Sequence, residues 1–570
     1  MSDTEKLSRR NFLALGGTAA VSLLSPSVSY PRPPRAREDD TDYEQRKHLH
    51  RQETTIIESQ YKRRPLKAMT MIEEDRYGEA IEHLHQQLEV IPGDPEFFYV
   101  LAVAHGQRGE IDTAVDYARK ALDAGLPPER FLVGPRELHK PLQEADALQE
   151  LVGRRHDADY VHGPMLGAVT DTQARFWVRT VEEATIQFEV KEDGGDKTTR
   201  SDVVRTRSDR DYTAVAEVDG LSANTLYSYH LYVNDRKQSD EWTFQTFPED
   251  GRPSTFEIGF GACAGYTPWR ERMWRRIASY DFPLMLLLGD NVYIDRPERP
   301  SLQRYCYYRR QSRREFRTLM PETCIAAVWD DHDFGDNDSE GGPKPFEPEW
   351  KVDAWKVFRE NWNNAAYGGG EKQPGVWHEV SIADVDIFML DGRYYRTNED
   401  AESPSMLGPT QKQWLLEKLR SSSATFKIIA SSVPFPDGAK PGAWPWRSDT
   451  WEGYPDEREQ IFSFIENQKV EGVVLLSGDR HRADVWRIER DDGYDLYEFQ
   501  NARLTNVHTH SPVEGRARHY PLYSYNDRPH FGRLRFDTTQ TDPSITYDII
   551  NIQGETVHST TIYRSMLSFP

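Results

Sequence analysis

The sequence contains few cysteines, no long apolar run and no net positive charge. Three cysteines in 570 residues are too few for a disulfide framework. No stretch of about twenty apolar residues is present to span a bilayer. The formal net charge of -22 opposes binding to a nucleic-acid backbone. We therefore expect a soluble protein without a transmembrane segment after any signal, and the length favours about three domains.

The N-terminal residues carry an arginine pair in a distinctive context. Ser8-Arg9-Arg10-Asn11-Phe12-Leu13 precedes the weakly apolar run ALGGTAAVSLL, which resembles a twin-arginine export signal. This resemblance predicts a signal at residues 1–30 and a periplasmic or extracellular location. The cleavage site stays open, as does retention as an uncleaved anchor, because Ser25-Pro26-Ser27 is a poor match to a small-x-small site. Residues 31–60 are rich in proline and then charge, and we interpret them as a linker.

Residues 61–150 show an internal repeat. Ala68, Ala80 and Leu88 recur 34 positions later as Ala102, Ala114 and Leu122. This period, with small residues where helices would pack closely, resembles tetratricopeptide repeats. A plain helical hairpin is the weaker alternative. Two repeats are fewer than an independent solenoid needs, so the segment either leans on a neighbouring domain or presents a groove to a peptide or protein partner.

Residues 156–250 change to short, alternating β-type segments such as ARFWVR, TIQFEVK and LYSYHLYV. Polar and turn residues separate these segments, which favours a β-sandwich. The run LSANTLYSY resembles the tyrosine corner of fibronectin-like sandwiches, in which a tyrosine hydroxyl fixes the crossover between sheets. We predict a fibronectin-like or immunoglobulin-like sandwich that is either structural or one wall of the active-site cleft.

The region 253–570 repeats one pattern: a short apolar run ends abruptly on acidic or metal-binding side chains. The runs FEIGF, LMLLL, IAAVW, IFML and VVLL stop at GAC, GDNVY, DDHD, DGR and SGDRH, respectively. Apolar runs of this length favour buried strands. In such α/β sheets, reactive groups collect beyond the carboxyl ends of the strands. The pattern therefore predicts one shared site.

The residue types at these strand ends are those that hold metal ions. Asp290 could bridge two ions, Tyr293 offers a phenolate suited to ferric iron, and Cys263 offers a thiolate. The other two cysteines, Cys306 and Cys324, could pair with each other, although we favour inert burial. Asn337 supplies a carbonyl oxygen. Asp479 and His481 would share a face in an extended backbone. Thiolate, imidazole and phenolate favour iron, whereas carboxylate and amide favour Ca²⁺, Mn²⁺ or Mg²⁺, so two unlike metals are expected.

The ordered set GAC, GDNVYID, WDDHDFGDND, MLDGRYYR, LGPTQKQWLLEKL, WEGYPDEREQI and SGDRH resembles the PhoD-like alkaline phosphatases, a branch of the calcineurin-like metallophosphoesterases. The resemblance covers about residues 160–550. It implies an α/β fold with a four-layer αββα core after an immunoglobulin-like domain, and an Fe³⁺ and Ca²⁺ centre. By motif position it implies these metal ligands: Cys263, Asp290, Tyr293, Asn337, Asp479 and His481. LDGR and SGDRH depart from the usual LDTR and TGDVH, which leaves the implied metal ligands intact and the substrate preference open.

Further residues are candidates for the chemistry of phosphate. Arg304 and Arg393 could bind phosphate oxygens bidentately, and Arg393 could equally be a structural ion-pair residue. His332 could donate a proton to the leaving alkoxide or orient Asn337 from behind. Asp330 and Asp331 are expected to stabilise their loop rather than bind metal. His508 and His510 alternate as ligands do, but the PhoD-like pattern does not require them.

Three functions remain open. The leading one is an exported, metal-dependent phosphatase that acts on phosphate esters, with an alkaline optimum implied by the resemblance. The second is a phosphodiesterase or phospholipase-like enzyme that acts on lipid or polymer phosphodiesters. A third is a docking protein that uses the repeat segment and retains a residual metal site.

Overall fold

The computed structural model describes residues 61–156, 158–440, 449–513, 515–516 and 518–570. The predicted export signal at 1–30 and the predicted linker at 31–60 lie outside these residues. Within the described ranges, no helix combines the length and the apolar character that crossing a bilayer requires.

The first described segment is helical. Its helices are α1 (Arg64–Glu73), α2 (Tyr77–Val90), α3 (Pro95–Gln107), α4 (Ile111–Asp123), α5 (Arg130–Val133), α6 (Arg136–Gln143) and α7 (Asp146–Gly153). Helix α3 begins after Asp94, whose carboxylate accepts hydrogen bonds from two N–H groups of the first turn, as an N-cap should. The alanines related by 34 positions, Ala68 with Ala102 and Ala80 with Ala114, are fully buried. Small buried residues permit close helix packing; the tetratricopeptide designation stays a prediction.

The next segment consists of strands that form two sheets. They are β1 (Tyr160–Gly167), β2 (Gln173–Thr180), β3 (Thr185–Glu192), β4 (Thr198–Arg200), β5 (Val204–Arg205), β6 (Thr213–Asp219), β7 (Leu226–Val233), β8 (Arg236–Lys237) and β9 (Trp242–Gln245). One sheet has the order β1-β2-β6 and the other β4-β3-β7-β8, with β5 and β9 attached. The rings of Phe176 and Phe188 stack 4.7 Å apart between the sheets. The Tyr227 hydroxyl accepts a 2.8 Å hydrogen bond from Ser222 N–H, the contact expected of a tyrosine corner. The fibronectin-like classification stays a prediction.

The remaining strands form two larger sheets. The first has the order β12-β11-β10-β20-β21-β22 and the second β13-β14-β15-β16-β18-β17-β19. The strands are β10 (Thr255–Gly261), β11 (Leu284–Leu288), β12 (Cys324–Val328), β13 (His378–Ile382), β14 (Val385–Met389), β15 (Phe426–Ala430), β16 (Val473–Ser477), β17 (Ala483–Ile488), β18 (Leu496–Asn501), β19 (His519–Tyr525), β20 (His530–Asp537), β21 (Ser544–Asn551) and β22 (Thr556–Tyr563). All five apolar runs noted in the sequence are confirmed as strands: β10, β11, β12, β14 and β16.

Helices accompany these sheets: α8 (Arg272–Ala278), α9 (Pro300–Gln311), α10 (Arg314–Arg317), α11 (Asp331–Phe334), α12 (Trp350–Asn361), α13 (Gly408–Ser421) and α14 (Pro455–Asn467). Strands β10, β11 and β12 are parallel to one another, as are β14, β15, β16 and β18. Phe499 of one sheet stacks on Tyr547 of the other at 4.6 Å, so the two sheets face each other. The αββα layering in detail stays a prediction.

Candidate metal centre

Four of the predicted ligands share an unusual backbone conformation where their strands end. Cys263 follows β10, Asp290 follows β11, and Asp479 and His481 follow β16. Their φ angles are 60°, 54°, 61° and 49°, respectively. A left-handed conformation costs free energy for residues other than glycine, and such residues concentrate at functional sites. The four residues therefore form a group whose local geometry is maintained by the surrounding fold.

Two glycines let the strand ends approach each other. A Cβ atom on Gly478 would lie 2.6 Å from Ala262 Cβ and 3.0 Å from the Leu288 carbonyl oxygen. A Cβ atom on Gly289, whose φ is +97°, would lie 2.5 Å from Asp330 Cβ. Both contacts are too close for a side chain. The glycines of the GDNVY and SGDRH motifs therefore bring the ends of β10, β11 and β16, which belong to both sheets, to one place.

Cys263, Asp290, Tyr293 and His481 meet at the centre of this region. Cys263 Sγ lies 3.4 Å from Asp290 Oδ2, and the Tyr293 hydroxyl donates a 2.7 Å hydrogen bond to the same oxygen. That hydroxyl lies 3.4 Å from His481 Nε2. Ligand atoms of Cys263, Asp290 and His481 all lie within 4.8 Å of one another. We call these four residues the central cluster.

The central cluster has buried polar atoms without partners. Asp290 Oδ1 and His481 Nδ1 are buried and form no hydrogen bond with any residue that the structure describes. Buried polar atoms normally have a partner, because leaving one unpaired costs about 1–3 kcal/mol. The donor set is a thiolate, a carboxylate, a phenolate and an imidazole, which matches a transition metal such as iron. The residues present thus fit a metal ion.

Burial disfavours the charged forms of these side chains. It raises the pKa of Asp290 to about 8 and, helped by the Asp290 carboxylate, the pKa values of Cys263 and Tyr293 well above their usual ranges. Burial also lowers the pKa of His481 far below its usual value. Metal ligands must be deprotonated to bind. A bound cation would stabilise the negatively charged forms of the Asp290, Cys263 and Tyr293 side chains, which burial alone disfavours.

Asp290 belongs to a second group of potential ligands. Its carboxylate lies within 4.8 Å of ligand atoms of Asp331 and His332, so it occupies the place between two candidate metal positions. His332 Nδ1 is hydrogen-bonded to Asp295 rather than to Asn337. Burial lowers the pKa of His332, but the carboxylates of Asp331, Asp290 and Asp295 outweigh burial and raise it to about 10.

The two other predicted ligands are placed differently. Asp479 reaches the central cluster through its backbone carbonyl, 3.5 Å from Cys263 Sγ, while its carboxylate contacts Arg480 Nη1 at 3.3 Å. Asn337 is exposed and shares none of the hydrogen bonds that join the central cluster. The structure brings Asp479 to the site but does not bring the Asn337 side chain into it.

Both predicted phosphate-binding arginines are bound to carboxylates. Arg304 forms a two-pronged pair with Glu360, with both N···O distances 3.0 Å. Arg393 is fully buried and pairs with Asp330 at 2.7 Å and with Asp449 at 2.8 Å. Arg393 therefore has the structural ion-pair position that the sequence left open. Neither guanidinium forms a hydrogen bond or ion pair with the central cluster.

Sequence reasoning missed Asn506. Its Nδ2 donates a 2.6 Å hydrogen bond to the Tyr293 hydroxyl and lies 3.4 Å from His481 Nε2. The neighbouring His508 and His510 place ring nitrogens within 4.8 Å of His481. The NVHTH motif was noticed for its histidines, and its first residue is the one that contacts the central cluster. An asparagine alone carries no spacing signal that could have identified it.

Two cations near the site were also missed. Lys62, from the segment before α1, places Nζ 3.2 Å from the centroid of the Tyr293 ring. Burial and the neighbouring Arg63 lower the pKa of Lys62 to about 8, against the opposing effect of Asp290 and Asp295. Arg480, in the SGDRH motif, is buried beside His481. No sequence signal connects Lys62 with strands that begin about two hundred residues later.

Comparison with known families agrees with this geometry. Residues 258–531 match the family model of PhoD-like phosphatases. Residues 157–250 match the model of a domain of unknown function, DUF7800. Alkaline phosphatase D of Bacillus subtilis (strain 168) is 25% identical over 311 residues, covering 46% of this chain and 52% of that protein. The chain thus spans about half the length of this curated relative.

Solved structures support the fold. A structure of PhoD has a TM-score of 0.59 and 18% identity, covering 71% of this chain and 90% of that one. Purple acid phosphatase PPD1 from yellow lupin (Lupinus luteus) has a TM-score of 0.52 and 13% identity, covering 72% of this chain and 76% of that one. At these identities the likeness concerns the fold alone. The predicted mixed α/β fold is confirmed, and it is similar to the folds of these two proteins.

Proposed function

We propose that this chain, whose residues 258–531 form a PhoD-like phosphatase domain, hydrolyses phosphate esters at a metal centre built on the central cluster. The observation that carries the proposal is the unpartnered, buried pair of ligand atoms, Asp290 Oδ1 and His481 Nδ1. Asp290 also lies between two groups of potential ligands. This arrangement suits two adjacent cations, as phosphoester hydrolysis by metalloenzymes commonly requires.

Iron and calcium are the proposed metals. Cys263, Tyr293, His481 and Asp290 would hold Fe³⁺, because thiolate, phenolate and imidazole favour a transition metal. Asp290 and Asp331 would hold Ca²⁺, or Mn²⁺ or Mg²⁺ in its place, through oxygen atoms. When bound, two cations stabilise the charge of the transferred phosphoryl group and lower the pKa of the attacking water. Asp479 remains a proposed ligand that needs a different side-chain orientation, whereas the exposed Asn337 is left out of the proposed ligand set.

The side chains around the centre have separate tasks in this proposal. His332 has Nδ1 fixed by Asp295, which leaves Nε2 to donate a proton to the leaving alkoxide. Its pKa, raised to about 10 by the nearby carboxylates against the effect of burial, keeps that proton in place at neutral pH. Asn506 holds the Tyr293 oxygen through its amide. A fixed second partner of this kind orients a ligand and tunes its affinity for metal.

The test combines metal content with turnover. Purified protein should contain two metal ions per chain by elemental mass spectrometry, and a chelator should abolish hydrolysis of a panel of phosphate monoesters and diesters. Asp290→Asn should lose metal and reduce turnover by about 10³-fold or more, since the shared ligand is removed. Asp492→Asn, which changes an exposed carboxylate, is the matched control. Full turnover after chelation, or in Asp290→Asn, would refute the proposal. The relative turnover of monoesters and diesters in the panel separates phosphatase from phosphodiesterase activity.

Export by the twin-arginine route is a second part of the proposal. Residues 1–30 carry Arg9 and Arg10 ahead of a weakly apolar run, and this route transports proteins that have already folded and bound metal. The full chain should be recovered outside the cytoplasm, and replacing both arginines with lysine should retain it inside. Recovery of the unaltered chain in the cytoplasm alone would exclude export.

A further inference from the structure

A lysine from outside the phosphatase domain lies against the central cluster. Lys62 Nζ is 3.2 Å from the centroid of the Tyr293 ring, and the residue is only 8% exposed. Tyr293 is itself hydrogen-bonded to Asp290. The ammonium forms no hydrogen bond or ion pair with any residue in the part of the chain that the structure describes. Its contact with the face of the Tyr293 ring is a cation–π contact, which uses none of the three hydrogen-bond donors of the ammonium.

The residues beside Lys62 fix its position. The Tyr61 ring packs against the rings of Tyr266 and Trp269, with centroids 6.3 and 6.2 Å away. Arg63 forms a 3.0 Å ion pair with Asp295, which is also the partner of His332. The Lys62 carbonyl accepts a 3.3 Å hydrogen bond from an arginine of α9. Three consecutive residues, Tyr61 to Arg63, thus contact residues of the region that carries the central cluster.

The rest of the helical segment is anchored to the same domain. Arg299, just before α9, bridges Glu73 and Glu74 at the end of α1, at 2.8 and 2.9 Å. Glu96 of α3 is fully buried between Arg130, at 2.8 Å, and the Tyr305 hydroxyl of α9, at 2.5 Å. Buried, paired contacts of this kind hold the segment in one position. The Lys62 side chain is therefore held at the site by a packed interface.

The predicted phosphate-binding arginines cannot provide the missing cationic contact without breaking other pairs. Arg304 is bound to Glu360 and Arg393 to Asp330 and Asp449. Arg480 contacts the Asp479 carboxylate. Lys62 is thus the cation at the central cluster that is free of a carboxylate within the described residues. A phosphate oxygen is a strong acceptor for such a charged donor.

We propose that Lys62 binds the phosphate group of the substrate, so that the N-terminal helical segment completes the phosphatase site. This inference rests on the proposed function, because it assigns a binding residue to that reaction. The ammonium donates a hydrogen bond to a nonbridging phosphate oxygen. Its positive charge also reduces the repulsion between the negatively charged phosphate and the carboxylates of the site. The ligand class is a phosphate monoester or inorganic phosphate, whose two negative charges gain more from a nearby cation than the single charge of a diester.

The test measures phosphate affinity directly. The metal-loaded full chain is titrated with inorganic phosphate by calorimetry, and kcat and KM are measured with a phosphate monoester. Lys62→Gln and Lys62→Met, which keep much of the stem without the charge, should raise the Kd for phosphate and KM by about tenfold or more, as expected for a charged hydrogen bond. Lys62→Arg should recover most of the affinity. Lys67→Gln, at an exposed position in α1, should match the unaltered chain, and metal content should be equal in all variants.

The outcomes are separable. If phosphate affinity in both neutral variants stays within twofold of the unaltered protein, the inference is wrong. It is also wrong if the neutral variants bind an extra metal ion without losing phosphate affinity. In that case the Lys62 ammonium takes the place of a metal ion and does not bind phosphate. If the unaltered chain binds phosphate but hydrolyses no ester, the proposed function fails while the phosphate titration still decides the role of Lys62.

Discussion

Two groups of buried charges lie at strand ends within residues 258–531, the region that matches the PhoD-like family model, and they have different neighbours. In the central cluster, Asp290 lies beside a thiol and a phenol, and burial raises its pKa to about 8. A second group, which we call the arginine network, consists of Asp330, Asp449, Arg393 and Arg396. Here the arginines outweigh burial and hold the pKa of Asp449 well below its usual range, whereas burial raises the pKa of Asp330 despite its pairing with Arg393.

The two groups differ in how far arginines pair with their carboxylates. Each arginine in the network has a carboxylate at 2.8 Å or less, although Asp330 Oδ2 has no hydrogen-bond partner among the described residues. The central cluster also has unpartnered ligand atoms, and there they belong to residues in a strained backbone conformation. Buried acids without cationic partners are expensive, and a binding site is one of the few reasons for the fold to retain them. The contrast supports placing the proposed metal centre at the central cluster.

The largest expected effect concerns the charge of Asp290 in metal-free protein. A carboxyl whose pKa is raised on folding stabilises the protein only while it is protonated, so this contribution falls as pH rises from about 4 towards 8. Asp290→Asn removes the free-energy cost of burying an ionised carboxylate. At pH 8 the metal-free variant should therefore have a free energy of unfolding up to roughly 5 kcal/mol higher than that of the metal-free parent. Urea unfolding at pH 5 and pH 8 measures the difference. If the variant and the parent differ in free energy of unfolding by the same amount at both pH values, Asp290 is not a buried acid with a raised pKa.

The arginine network should respond in the opposite direction. Arg393→Met leaves Asp330 and Asp449 buried without their main cation, and the free energy of unfolding should fall by about 3–5 kcal/mol. Arg359→Met is the control, because its partner Glu371 is exposed and such pairs contribute about 1 kcal/mol or less. The prediction fails if the two variants are equally stable. A raised KM in folded Arg393→Met would instead support the alternative that Arg393 binds phosphate.

Much of the central cluster could be predicted from the sequence, because the signals are local. An apolar run followed by Gly-Asp or Ser-Gly-Asp marks a buried strand and the residues directly beyond it, and parallel strands bring such ends together. Cys263, Asp290 and His481 were found in this way. Tyr293 was found because it lies only three residues after Asp290. The structure adds the reason for the glycines, which is close approach between the sheets.

The remaining features depend on contacts between distant parts of the chain. Arg304 faces Glu360, and nothing in either local pattern indicates that pair. Lys62 reaches the centre because α1 packs on α9, whereas the sequence placed it at the boundary between a linker and a separate repeat segment. A spacing rule describes one strand end or one helix face. It does not identify which side chain arrives from another domain.

The smallest expected effect separates two asparagines. Asn506 is buried and holds the Tyr293 hydroxyl, whereas Asn337 is exposed. Asn506→Ala should weaken metal affinity by about 10–100-fold, as loss of a residue that orients a ligand does, while Asn337→Ala should change it by less than about twofold, as expected for an exposed side chain. Competition with a chelator of known affinity gives both values. A greater loss for Asn337→Ala would mean that its loop turns inward when metal binds, and the centre would then extend towards the arginine network rather than stop at Asp331.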